Sequence, residues 1–139
     1  MATIETTYLG DLRTEATHLQ SGTKIITDAP LDNQGKGEAF SPTDLLAASL
    51  GSCMLTIMGI KARASNIDID GTTMSITKIM AADPRRVGEI VINFKFPKAY
   101  TEKEQLLLER SALTCPVIFS LNEDLKKTVT FGWEESVKA

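Results

Sequence analysis

The chain has 139 residues, 42% hydrophobic and 24% charged, with a net charge of −3. That is the balance of an ordinary folded protein and the length of one compact domain, residues 1–139, rather than of a disordered tail or a fibre. The acidic balance and the absence of any long run of like charges offer no basic surface, so nucleic acid is not an expected partner.

The N-terminal stretch, MATIETTYLGDLRTEATH, carries Glu5, Asp11 and Glu15 and has no basic-then-apolar order. It therefore reads as neither a secretory nor a transit peptide, and the expected compartment is the cytoplasm. Short β-prone runs over Thr3–Leu9, Thr14–His18 and Thr23–Thr27 are separated by Gly10-Asp11 and Ser21-Gly22, which predicts a meander of strands. From Asp28 to Phe40, DAPLDNQGKGEAF holds too many turn formers for helix or strand and is expected to be a loop. A loop of that length in a compact domain usually carries function or lies against a partner.

Ser41-Pro42-Thr43-Asp44 is a helix start, with Ser41 as N-cap, Pro42 in the first turn and Asp44 at the positive end of the dipole. The sixteen residues Leu45–Ile60 that follow carry no charge. Such a segment is expected to be buried on every side. It is short of the roughly 20 residues needed to cross a bilayer and is diluted by Ser49, Ser52 and Thr56, so no membrane span is expected. A chain of this size has difficulty surrounding such a helix, which predicts that a second subunit covers part of it.

Ile67–Gly71 and Met74–Ile79 alternate, Asp83-Pro84-Arg85-Arg86 makes a turn, and VGEIVINFKF alternates again at Ile90, Ile92, Phe94 and Phe96. The pattern predicts a long antiparallel hairpin with one buried face. Thr101 with Glu104 forms a capping box ahead of an apolar stripe through Leu106, Leu107, Leu108, Ala112 and Leu113. Cys115-Pro116 breaks that helix and opens a short one through Leu121, and Lys127–Glu134 reads as a last strand. Strands, helix, hairpin, helices and strand in that order make an α+β domain.

Chemistry rests on two cysteines 62 positions apart and a single histidine, His18. That set lacks the paired spacing of a zinc site, and neither a metal nor any other cofactor is expected. In a reducing compartment the two are free thiols, and an ordinary free cysteine is simply a small buried apolar residue. A reactive one must be a thiolate near neutral pH, which requires a positive neighbour. Cys53 lies too deep in its helix for the N-terminal dipole to act as that neighbour. Arg13, Arg63, Arg85, Arg86 and Arg110 are the candidate cations, and Arg13 stands out by its place in a turn between two strands, although a solvated turn residue would look the same.

The run Phe40-Ser41-Pro42-Thr43-Asp44-Leu45-Leu46-Ala47-Ala48-Ser49-Leu50-Gly51-Ser52-Cys53, followed by Cys115-Pro116-Val117, resembles the OsmC/Ohr family of hydroperoxide-reducing proteins, as does the order of elements over nearly the whole chain. The resemblance implies an OsmC-like fold, antiparallel sheets around a long buried central helix in an intertwined homodimer with active sites at the interface. It implies that Cys53 is the peroxidatic cysteine, Cys115 the resolving one and Arg13 the guanidinium beside the thiolate. Family members place a glutamate shortly after the helix-start proline, where this chain has Thr43 and Asp44; Glu38 is then the expected partner of Arg13, with Asp44 second. Phe40, Leu50 and Met54, with Met58, are expected to give an apolar surface for an organic hydroperoxide, and a small dithiol such as a dihydrolipoyl group is the implied reductant. The alternatives are a non-catalytic redox-sensing or ligand-binding module on the same fold, and a structural domain with inert thiols.

Overall fold

The structure is a computed structural model and describes residues 1–134. The chain divides into two compact units, residues 1–46 and 47–139.

In the first unit, β1 (Ile4–Gly10), β2 (Arg13–His18) and β3 (Lys24–Asp28) form an antiparallel sheet in the order β1-β2-β3. Asp11 and Leu12 both take positive φ in the β1–β2 turn, next to Gly10 at φ +90. Gly10 meets no atom within 4 Å of a Cβ, so its role is the backbone conformation rather than close packing. The expected loop after β3 contains one 3-10 turn, Leu31–Asn33, and its ends are drawn together by a parallel bridge between Thr27 and Phe40. Within the sheet Ile4, Tyr8, Leu9, Leu12 and Ile25 remain exposed. The fully buried residues of this unit are polar: Thr27, Asp28 and Ser41.

α1 (Pro42–Ala64) begins with reciprocal capping, Ser41 Oγ accepting from the Asp44 N–H at 3.0 Å and Asp44 Oδ2 accepting from the Ser41 N–H at 3.0 Å. It continues past the uncharged stretch to 23 residues, long and apolar enough by length and composition to cross a membrane. Its packing is that of a core helix. Ala47, Leu50, Met54, Met58 and Ala62 form one buried stripe at helical spacing. A Cβ on Gly51 would stand 2.7 Å from Ile76 Cδ1 and 2.9 Å from Met74 Sδ, so the missing side chain is what lets the helix lie this close to the sheet beneath it.

The second unit holds the hydrophobic core, with every fully buried hydrophobic residue among those described lying between Ala47 and Leu125. β4 (Thr73–Ala81) and β5 (Arg86–Lys95) make the antiparallel hairpin, with Ile90, Ile92 and Phe94 on its covered face. α2 (Glu102–Ala112) carries the capping box of Thr101 and Glu104, and α3 (Pro116–Ser120) follows the break at Cys115. β6 (Lys126–Gly132) pairs with β5 in parallel, giving a sheet of order β4-β5-β6. Phe96 stacks on Trp133 at a centroid distance of 3.8 Å and closes the end of this sheet.

One expectation is corrected. The sheets are not both antiparallel, because the chain leaves β5 through α2 and α3 before reaching β6, and a helical crossover of that kind brings a strand back in the same direction. One chain does not surround the helix, in line with the expectation for a chain of this size. Ile60 is 61% exposed and Ser52 and Thr56 are exposed, because a small unit has core enough for one stripe only.

Replacing Gly51 by Val adds branched carbons where Ile76 and Met74 already stand. The expected cost is about 1–3 kcal/mol, the range for overpacking a core, read as a lower urea midpoint with an unchanged slope.

Candidate active site

Two clusters of the expected residues form, one in each unit. In the second unit the pitch of α1 sets Cys53 beside the buried stripe, where it is half-buried and packs against the core. Cys115 is wholly buried. It sits at the break between α2 and α3 as N-cap of α3, with extended backbone (φ −70, ψ 144), because Pro116 does not let the residue before it stay helical. Its Sγ accepts a hydrogen bond from the Ile118 N–H at 3.4 Å. The two thiols are close enough to act on each other electrostatically, near disulfide distance, so 62 positions of sequence are closed within this unit.

Burial is the largest influence on the Cys115 thiol and pushes its pKa up; the Ile118 N–H pulls it down, and the neighbouring Cys53 pushes it up again. The thiol of Cys115 is therefore biased toward its protonated form.

In the first unit Arg13 and Asp28 face each other across the β2–β3 ladder. One guanidinium nitrogen, Nη2, donates to Asp28 Oδ2 at 3.0 Å and stands 3.7 Å from Glu38 Oε2. The same Asp28 oxygen accepts the Glu38 N–H at 3.0 Å. Asp28 has no exposed side-chain surface, whereas the Glu38 side chain is 61% exposed. The anchor of Arg13 is thus Asp28, and Glu38 is a second, solvated partner. Asp44, the other candidate, is committed to the cap of α1. Hydrogen bonding from the Glu38 N–H, and next from Arg13, holds the Asp28 carboxyl below the ordinary carboxylate range; Arg13 is raised, first through its bond to Asp28.

Asp28 is the residue that sequence reasoning missed. Its signal was present: counting outward from the turn at residues 19–22 sets Asp28 opposite Arg13, in the pairing that runs from Thr17 and Lys24 to Arg13 and Asp28. Of the residues expected to offer an apolar surface, Phe40 is 58% exposed. Leu50 and Met54, like Met58, have no exposed surface. Helical spacing sets these three on the core stripe with Ala47, so they support the helix rather than line an opening.

Residues 35–130 match the OsmC family, whose members are described as OsmC-like protein. The crystal structure of a protein from Psychrobacter arcticus 273-4, described as an osmotic stress induced and detoxification response protein, is 60% identical. The match covers 94% of this chain and 96% of that one, with a TM-score of 0.92.

This chain belongs to the OsmC/Ohr family.

The OsmC-like α+β fold extends to more distant proteins. An organic hydroperoxide resistance protein OsmC from Legionella pneumophila is 15% identical over 95% of this chain and 98% of its own, at a TM-score of 0.74. An OsmC-like protein from Mycoplasma pneumoniae is 20% identical over 95% and 96%, at a TM-score of 0.76. No curated protein matches the chain. Membership of the OsmC/Ohr family together with the paired thiols supports a redox role.

The buried ion pair fixes a pH dependence. A carboxyl whose pKa is depressed in the folded state contributes stability above its unfolded pKa, and loses it as pH falls through the folded value. Asp28→Asn is therefore expected to lower the melting temperature at pH 7, and the gap from the parent protein to narrow as both are taken down through the acidic range. Thermal melts followed by circular dichroism over that range check it. A gap that stays constant down to pH 2 would contradict the assignment.

Proposed function

We propose that this protein is a thiol-dependent peroxidase that reduces organic hydroperoxides, with Cys53 as the attacking thiol and Cys115 as the resolving one. The observation that carries the reading is the pairing of two thiols near disulfide distance, one half-buried and one wholly buried. A pair of that kind needs little rearrangement to become a disulfide once one partner is oxidised.

The Cys53 thiolate attacks the distal oxygen of the hydroperoxide. The O–O bond breaks, Cys53 becomes a sulfenic acid, and the alkoxide leaves with a proton as an alcohol. Cys115 then condenses with the sulfenic acid, forming the Cys53–Cys115 disulfide and releasing water. Arg13 is the group assigned to stabilise the thiolate and the charge growing on the leaving oxygen, its guanidinium held by Asp28 with Glu38 at its edge. The exposed ring of Phe40 is the remaining candidate for contact with an apolar peroxide tail. A small dithiol, such as a dihydrolipoyl group, restores both thiols by exchange.

The working form in this reading is a homodimer. The sheet of the first unit buries no hydrophobic residue and leaves Ile4, Tyr8, Leu9, Leu12 and Ile25 uncovered. In the second unit the free side of α1 opens onto a groove of about 440 Å³ lined by Ser52, Leu55, Thr56, Gly59 and Ile69, among others. Apolar surface on both units favours a second copy as cover. The cytoplasm, where thiols are kept reduced, is the compartment that suits this cycle.

Mass spectrometry after one equivalent of cumene hydroperoxide should show the protein lighter by two hydrogens within seconds, with the mass restored by dihydrolipoamide. Cys53→Ser should abolish turnover, and Cys115→Ser should stop at the sulfenic acid, which a dimedone label reveals. Arg13→Met should lower kcat/KM by about 10²–10³, the range for removing one donor from a developing negative charge. A disulfide that forms over hours without peroxide turnover would support a redox-sensing module instead.

A further inference from the structure

Resting on the disulfide of the proposed cycle, the unequal burial of its two sulfurs decides how that bond is broken again. Thiol–disulfide exchange depends on which sulfur the incoming thiolate can reach and on how well the other sulfur leaves. Here the two factors oppose each other.

Access favours attack at Cys53. It is half-buried at the margin of the α1 stripe, whereas Cys115 has no exposed surface and is enclosed with Leu108, Ala112 and Leu125 in the core. The two thiols already lie near disulfide distance, so joining them needs no large movement of Cys115 toward solvent. Leaving ability favours the opposite choice, because burial raises the pKa of Cys115 and a more basic thiolate departs more slowly. That penalty slows departure without blocking it. Enclosure of the target sulfur removes the approach itself, so access is the larger effect. The Ile118 N–H, 3.4 Å from Cys115 Sγ, also lies ready to bind the charge that gathers there as the bond breaks.

We propose that the reductant always attacks Cys53 Sγ, that the mixed disulfide is carried on Cys53, and that Cys115 is the leaving sulfur held by the Ile118 N–H. In the first exchange a thiolate of the dithiol bonds to Cys53 Sγ while the Cys53–Cys115 bond breaks. The bonding pair leaves on Cys115 Sγ, which then takes up a proton. In the second, the remaining thiol of the reductant attacks its own sulfur in the mixed disulfide and expels Cys53 as a thiolate. Two electrons pass from the dithiol, which ends as a disulfide, to the two cysteines; Cys115 ends as a thiol and Cys53 as a thiolate, and one proton is released to solvent. Cys53 thus meets both external reagents, the oxidant in one half of the cycle and the reductant in the other, and Cys115 meets neither.

The test makes the disulfide with diamide, so it does not depend on peroxide turnover. The oxidised protein is mixed with excess cysteamine, a monothiol that cannot complete the second exchange, quenched with acid at short times, alkylated with N-ethylmaleimide and mapped by mass spectrometry. Cysteamine is expected on Cys53 and the maleimide on Cys115, in excess over the reverse pattern by at least about tenfold. In parallel, the reduced single-thiol variants Cys115→Ser and Cys53→Ser are exposed to an aromatic disulfide, and the thiol at Cys53 is expected to exchange faster than that at Cys115 by a similar factor or more. Cysteamine on Cys115, an even split, or equal rates in the two variants overturns the proposal. A clear preference for Cys53 in a protein that does not consume hydroperoxide would leave it standing and remove the peroxidase reading instead.

Discussion

The contact between Cys53 and Cys115 is the constraint around which the second unit is organised. One sulfur lies in the middle of a long helix and the other at the break between two later helices, so the contact exists only if α1, the β4–β5–β6 sheet and the α2–α3 corner are all in register. Each of those elements is fixed by something local. Gly51 sets the depth of α1 against Met74 and Ile76, the capping box of Thr101 and Glu104 sets where α2 begins, and Pro116 forces Cys115 out of helical geometry and into the capping position. A shift of one residue in α1 would turn the thiol by about 100° and carry it off the margin of the core stripe.

The placement also separates the roles of two chemically identical groups. Cys115 is enclosed, hydrogen-bonded to a backbone amide, and biased toward its protonated form by burial. Cys53 retains solvent contact. Sequence composition alone treats the two as equals, and the asymmetry arises from the packing. A buried thiol is poorly placed to meet an external reagent, and a half-exposed one beside it is better placed.

Much of this arrangement was legible because it is encoded locally. The breaks at Gly10-Asp11 and Ser21-Gly22, the capping box, the Cys115-Pro116 interruption and the alternation through Ile90, Ile92 and Phe94 each fix an element from within a few residues. What was not legible depends on the chain meeting itself. The direction of β6 follows from its connection through α2 and α3, and the strand pattern of Lys126–Gly132 reads the same in either direction. The free side of α1 was legible in kind but not in extent. An uncharged helix states that much apolar surface wants cover, but not how much of it one chain can supply.

Asp28 is the more instructive case, because it belongs to a run of turn formers and so reads as loop, while its backbone completes the β2–β3 ladder opposite Arg13. A carboxylate without exposed surface is costly unless its charge is met, and here a guanidinium and a backbone N–H meet it on one oxygen. The same oxygen ties the residue before the loop to Glu38 near its end, and the Thr27–Phe40 bridge closes the loop just beyond. Glu38 could not perform that task from its solvated position, where an ion pair at 3.7 Å gains little over water. The carboxylate expected after the helix-start proline is therefore supplied from the end of a strand. The guanidinium is held by a carboxylate that solvent does not reach, with a second, solvated carboxylate at its edge.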